Sequence, residues 1–215
     1  MSPRLSMSHI TASLTERPPR ALDLGDAARA AVAAVFREGE EGAELLFIQR
    51  AAQPNDPWSG QIAFPGGREE EADDDLSATA VRETQEELGF DLRATANILG
   101  PLDPLQARSR RKINPLVIQP YAWVAQGPPP AMPAVPNREV AHAFWFPVRH
   151  LADPARQIEY DAQRAEFPYT FPAIDLGPGR ILWGLTHRMV VEMGARLGII
   201  APDAAESLTT PRPIR

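Results

Sequence analysis

The chain has 215 residues, 44% of them hydrophobic and 23% charged, the make-up of an ordinary globular protein long enough to bury a real core. Its formal net charge of −6 argues against general affinity for nucleic acid, and the absence of cysteine removes disulfides, thiolate catalysis and zinc–thiolate sites together. No apolar run reaches the roughly 18 residues of a membrane-spanning helix, so no membrane partner is expected, and a reducing, cytoplasmic compartment suits the composition.

Residues 1–22 carry Arg4, Arg17 and Arg20 against a single acid, Glu16, with little periodicity, and are expected to be a flexible tail ahead of one domain over 23–200. Residues 31–36 predict a strand, 37–44 a charged turn and 45–49 the partner strand of a hairpin. A loop over 56–60 follows. Asp73, Asp74 and Asp75 can cap a helix and complement its positive N-terminus, and Gly89 suits a left-handed C-cap. Residues 98–100 begin another strand. Residues 116–124 read as a further one, in which Pro120 predicts an edge or a bulge. A stiff proline loop over 127–136 leads to a strand at 140–146, closed by Pro147. The last helix is expected at 185–197, stopped by Gly198, and 201–215 should be a flexible tail. Strands mixed with two or three helices predict an α/β sandwich with a mixed sheet.

The acidic end of the central helix carries the chemistry. Glu83, Glu86 and Glu87 stand at i, i+3 and i+4, so their carboxylates project from one side. They sit beside the helix stop, where the dipole is negative. Acids there are disfavoured by a few tenths of a kcal/mol each, and like charges at i, i+4 add about as much repulsion. A bound divalent cation reverses the sign of every one of these effects, because hard cations want clustered oxygen ligands. Ala80, Val81, Thr84 and Leu88 supply the buried stripe of the same helix. Ahead of it, Phe64-Pro65-Gly66-Gly67 is a loop whose glycines let backbone approach a ligand closely. A solvated acidic face is the bland alternative.

The segment from Gly67 to Phe90 resembles the Nudix box, G-x5-E-x7-R-E-U-x-E-E-x-G-U with U a bulky apolar residue. Here it reads Gly67, six residues, Asp74, seven residues, then Arg82-Glu83-Thr84-Gln85-Glu86-Glu87-Leu88-Gly89-Phe90. One residue is inserted, the first acid is Asp rather than Glu, and Thr84 takes a usually apolar position. The resemblance implies a Nudix-type α/β/α sandwich. It also implies Mg²⁺ or Mn²⁺ held by Glu83, Glu86, Glu87 and the Gly67 carbonyl, and a supporting salt bridge between Asp74 and Arg82. Residues 59–67, with the strand at 45–51, the insertion in the box and the segment 181–186, are similar to the coenzyme A pyrophosphatase branch. That branch usually carries an Arg between this strand and Gly60, which residues 53–58 lack.

Other features are weaker. Arg108, Arg110, Arg111 and Lys112 form a basic run from which Arg110 and Arg111 could hold a substrate phosphate. Trp58 could stack on an adenine ring or pack in the core. Glu139 reads as surface charge, although an acid in this region often helps to position metal or water in the family. His187 reads as packed, and His142 receives no role. The expected function is metal-dependent hydrolysis of a pyrophosphate bond in a nucleoside-diphosphate-linked compound, coenzyme A or acyl-CoA first. Glu83 is the first choice of proton acceptor. ADP-ribose, dinucleotide polyphosphates and damaged nucleoside triphosphates are the rival substrates, and an inactive ligand-sensing module is the rival class. The expected partners are a small-molecule nucleotide and, at most, a second copy of the chain in a homodimer.

Overall fold

A computed structural model describes residues 4–22, 25, 27–54, 58–107, 116–127, 138–161, 169–210 and 212–213. Its first element departs from expectation. Helix α1 (Met7–Thr15) is capped by the Ser6 hydroxyl, which accepts the His9 N–H at 3.2 Å. Ile10 and Leu14, at i and i+4, are buried in the main core. The segment is then pinned by charge. Arg17 donates to both carboxylate oxygens of Asp103, whose side chain is 3% exposed, and Arg196 donates to the Leu14 and Arg17 carbonyls at 2.7 Å each. The expected flexible tail over 1–22 is therefore corrected for most of its length. Two apolar residues are too few to show a period in sequence, and the contacts that order them come from the strands Ala28–Gly39 and Gly42–Arg50 and the helix Gly184–Arg196 and, for the segment that follows, from Asp103. Ile10→Ala should lower the unfolding free energy by about 2–4 kcal/mol in urea titrations. An unchanged midpoint would mean that α1 is not part of the core.

Strands β1 (Ala28–Gly39) and β2 (Gly42–Arg50) form the expected hairpin, with a turn tighter than predicted, since Gly39 pairs with Gly42. Next come β3 (Ile62–Ala63), β4 (Gly66–Arg68), α2 (Leu76–Leu88), α3 (Leu92–Thr95), β5 (Ala96–Pro101), β6 (Leu105–Ala107), β7 (Leu116–Ala125) and β8 (Val140–Pro147). The first sheet runs β3-β2-β1-β7-β5, with β4 added to β1, β6 to β7 and β8 to β2. The β1–β7 pair is parallel and the others are antiparallel, so the sheet is mixed. Strands β9 (Gln157–Asp161), β10 (Tyr169–Asp175) and β11 (Ile181–Trp183) form a second, small sheet that sequence patterning did not predict. Helix α4 (Gly184–Arg196) is the expected last long helix. The expected tail after it is also corrected: α5 (Pro202–Thr209) packs on α4, and β12 (Arg212–Pro213) pairs with β10. No described helix is long and apolar enough to cross a membrane.

Pro120 lies in the interior of the sheet, not at an edge. Strand β7 pairs with β1 on one side, while on the other its neighbour changes from β5, opposite Tyr121, to β6, opposite Ile118. The Pro120 carbonyl takes the Leu102 N–H at 2.8 Å in that gap. A strand residue's N–H and C=O point to the same side, so the missing proline N–H falls where the partner strand is interrupted.

Strand β1 explains the layering. Ala31, Ala33 and Val35 face one core with Ala80 and Leu88 of α2, while Ala30, Ala34 and Phe36 face the other with α1 and α4. A strand covered on both faces reads as a continuous apolar run of small residues. The result is the predicted α/β/α sandwich, and it places the Gly66–Gly67 backbone between β1 and α2.

Candidate active site

Helix α2 forms where its residues predict. Asp75 is the N-cap, its carboxylate accepting the Ala78 N–H at 2.9 Å. Gly89 ends the helix at φ +65°, its N–H bonded to the Gln85 carbonyl. Thr84, at the usually apolar box position, is fully buried and donates its hydroxyl to the Ala80 carbonyl at 2.7 Å, so nothing polar is left unsatisfied there. Strand β4 lies so close to β1 that a Cβ on Gly66 would meet the Ala31 carbonyl and the Val32 backbone, and Gly66 has φ +148°. A Cβ on Gly67 would run into the Glu83 carboxylate. The two glycines thus bring the backbone against the acidic face of α2.

The three glutamates occupy different environments. Glu87 is 3% exposed and accepts the Gly66 N–H at 3.0 Å. Burial pushes its carboxyl up to about 8, against the pull of that hydrogen bond, and Glu83 and Glu139 add repulsion while Arg50 offsets it. Glu83 is half-buried and is also raised, first by desolvation; Arg82 opposes this, and Glu86 and Glu139 add to it. Glu86 is 59% exposed. Glu139 is exposed, as its sequence reading expects, and lies near enough to add repulsion to Glu83 and Glu87. Arg50 and Glu139 reach the site because β2 pairs with β8, Arg50 standing opposite Val140. Sequence reading missed Arg50, since only strand pairing brings it here.

Arg82 ties loop to helix, but its acid is Asp73 and not Asp74. Its Nε and Nη2 donate to the two Asp73 oxygens at 3.0 Å each, its Nη2 also donates to the Arg68 carbonyl at 2.9 Å, and its Nη1 donates to Glu83 at 3.0 Å. Asp73 also accepts the Thr79 hydroxyl and the Glu70 N–H. The Arg82 guanidinium holds the Asp73 carboxyl well below the usual range. Asp74 is exposed and makes none of these bonds. The box therefore reads Gly67, five residues, Asp73, then eight residues to Arg82, which moves the inserted residue from before the acid to after it. The signal was present as three consecutive aspartates, but only the chain path selects among them.

The donor set fits a hard divalent cation. It is made of oxygens alone, and the two most buried carboxylates are disfavoured as anions unless positive charge is near. Among the described residues, no three acidic or imidazole side chains form a ready cage, and Arg82 Nη1 lies against both Glu83 and Glu86, at 3.0 and 3.4 Å. Trp58 is 43% exposed in a turn, so it is not a core residue. Arg110 and Arg111, with Arg108 and Lys112, lie outside the described residues. His187 is 1% exposed and lowered to about 4 by burial, hence neutral at pH 7, and its Nε2 has no partner among the described residues.

Comparison with known proteins agrees with this geometry. The NUDIX domain family model matches residues 27–167. The mitochondrial coenzyme A diphosphatase NUDT8 of Mus musculus is 32% identical over 166 residues, covering 75% of each chain. Its Homo sapiens counterpart is 32% identical over 144 residues, 66% of this chain and 58% of that protein. An uncharacterised Nudix hydrolase, NudL, of Yersinia pestis is 28% identical over 156 residues, 72% of this chain and 73% of that one. Among solved structures, a MutT/nudix family protein from Enterococcus faecalis superposes with a TM-score of 0.53 at 16% identity, over 90% of this chain and 70% of that chain, which supports the fold. Enzymes of this family act on small nucleotides and generally use divalent metals. With the family match spanning most of the chain and the acidic helix folded against Gly66 and Gly67, the chain belongs to the Nudix family and is a pyrophosphohydrolase.

Proposed function

We propose that the protein hydrolyses the pyrophosphate bond of coenzyme A or an acyl-CoA to 3′,5′-ADP and 4′-phosphopantetheine, with Mg²⁺ or Mn²⁺, in a reducing compartment such as the cytoplasm. The observation that carries the chemistry is the pair of carboxylates of half-buried Glu83 and buried Glu87, packed against Gly67 and Gly66. Likeness to the coenzyme A diphosphatases supports the substrate, as do residues 59–67.

Glu83, Glu86, Glu87 and the Gly67 carbonyl would hold the ion, which when bound screens phosphate charge and polarises a water. Glu87 is fixed by the Gly66 N–H, so its other oxygen has a defined direction. Glu83, half-buried and held by Arg82 Nη1, is our choice to accept the proton of the attacking water. Arg82 positions Glu83 through Nη1 while Asp73 holds the rest of the guanidinium. Glu139 adds negative potential, which favours a cation and opposes a bare anionic substrate.

Steady-state rates on coenzyme A, 3′-dephospho-coenzyme A and ADP-ribose, with products resolved by mass, test this reading. Coenzyme A is expected to be cleaved with Mg²⁺ or Mn²⁺ present, faster at alkaline pH, and turnover should vanish in EDTA. Undiminished turnover in chelator would refute the metal role. ADP-ribose turned over far faster than coenzyme A would refute the substrate, and tight binding without turnover would point to a sensing module.

A further inference from the structure

A second charged feature lies on the opposite face of the first sheet from α2. Residues 17–20 bond to α4 and, with the start of α5, leave a cleft of about 510 Å³ lined by Arg17, Arg20, Glu192, Arg196 and Pro202. Three guanidiniums converge there, in a protein whose net charge is −6. Two acids offset them in part. Asp103, buried beneath, takes two bonds from Arg17 and the Arg20 backbone N–H at 2.7 Å, and Glu192 pairs with Arg20 at 2.5 Å. Among the described lining residues and Asp103, three cations face two carboxylates, an excess of one positive charge.

That charge sits on Arg196. Its Nη2 donates to the Leu14 and Arg17 carbonyls, which are neutral acceptors. Its Nε and Nη1 are enclosed and have no hydrogen-bond partner among the described residues. Buried donors of this kind are rare without water or a ligand. Burial first, and Arg17 second, lower the Arg196 guanidinium below its ordinary value, and Asp103 offsets this only in part. Stapling α1 accounts for Nη2 but not for the other two nitrogens.

We propose that this cleft binds a small phosphate-bearing anion, held by Arg17 and Arg20 and favoured by the charge of Arg196 enclosed behind them. Guanidinium forks match phosphate oxygens in pairs, and Arg17 and Arg20 remain 45% and 62% exposed at the cleft for such contact. The volume exceeds the need of inorganic phosphate and leaves room for an attached organic group, as in a phosphomonoester. Phosphomonoesters are what pyrophosphate hydrolysis releases, so the cleft is suited to sense product. The binding step itself is independent of which substrate the enzyme cleaves.

The test is calorimetric and thermal-shift titration of the full chain with sodium phosphate in EDTA, against sodium chloride at equal ionic strength. Wild type is expected to bind phosphate saturably and to gain melting temperature as it does. Arg20→Gln and Arg196→Gln should weaken the apparent Kd at least tenfold, while Glu86→Gln should leave it unchanged. Should Arg196→Gln fail to fold, because it also ties down α1, Arg20→Gln on a mostly exposed side chain decides alone. A rise that does not saturate, or that persists in Arg20→Gln, is the general stabilisation by excluded salts and overturns the proposal. Binding lost in Glu86→Gln but kept in Arg20→Gln places the anion at the acidic helix and overturns it as well. Failure of coenzyme A hydrolysis with phosphate binding intact would refute only the substrate reading.

Discussion

Glu87→Gln is expected to lower kcat by at least tenfold, about 1.4 kcal/mol of transition-state stabilisation, and at the same time to raise the melting temperature of the metal-free protein at pH 8.5. The two effects share one cause. Glu87 is 3% exposed, and its carboxyl titrates near 8 in the fold against an ordinary 4.5 when unfolded. Between those values the folded state holds a proton that the unfolded state lacks, so stability falls as pH rises through the window. Above about pH 8 the whole penalty is present, on the order of a few kcal/mol for a shift of this size. Gln is neutral at every pH and keeps an oxygen for the Gly66 N–H, so the variant should gain over wild type at pH 8.5 and match it near pH 5. Thermal melts in EDTA at both pH values check this. Equal destabilisation at both would show that Glu87 is a structural group. Mg²⁺ should reverse the order at pH 8.5, because a cation stabilises only the carboxylate.

The second large effect separates Asp73 from Asp74. Arg82→Ala should cost about 3 kcal/mol of stability and most of the activity, since the Asp73 side chain, 5% exposed, would keep a buried charge without its guanidinium. Asp73→Asn should act in the same direction. Asp74→Asn should change the unfolding free energy by less than about 0.5 kcal/mol, because Asp74 is exposed and lies outside the network. Urea unfolding of the three variants at pH 7 is sufficient. The folded value of Asp73 is depressed, so the pair's contribution is complete above about pH 4 and is lost only as acid protonates it in the fold. A large cost for Asp74→Asn with little for Asp73→Asn would mean that the loop path over 68–75 is wrong.

The contrast between these two aspartates shows what could be read from sequence. The helix, its caps and its acidic face were legible, because capping, period and dipole act over a few residues, and Asp75, Gly89 and the three glutamates lie within them. Which of three neighbouring acids meets Arg82 depends on how the loop over residues 69–75 turns back on β4, and no local rule sets that. Trp58 could be placed by its exposure alone, while Arg110 and Arg111 lie outside the described residues, so the basic run stays a matter of sequence.

By itself the sequence determined the hairpin of β1 and β2, helix α2 with its glutamates, the last long helix and the hydrolase class. Each of these is written in contiguous residues with a period or a motif. Only the tertiary structure decided that residues 7–15 belong to the core, that Pro120 lies inside a sheet, that Asp73 is the partner of Arg82, and that Arg50 and Glu139 come near enough to act on the charge of Glu87. Apart from Asp73 and Arg82, which a short loop brings together, these are pairings across long stretches of chain. Their free energy comes from burying charge and apolar surface that local sequence does not bring together, so they become readable only once the sheet sets the register.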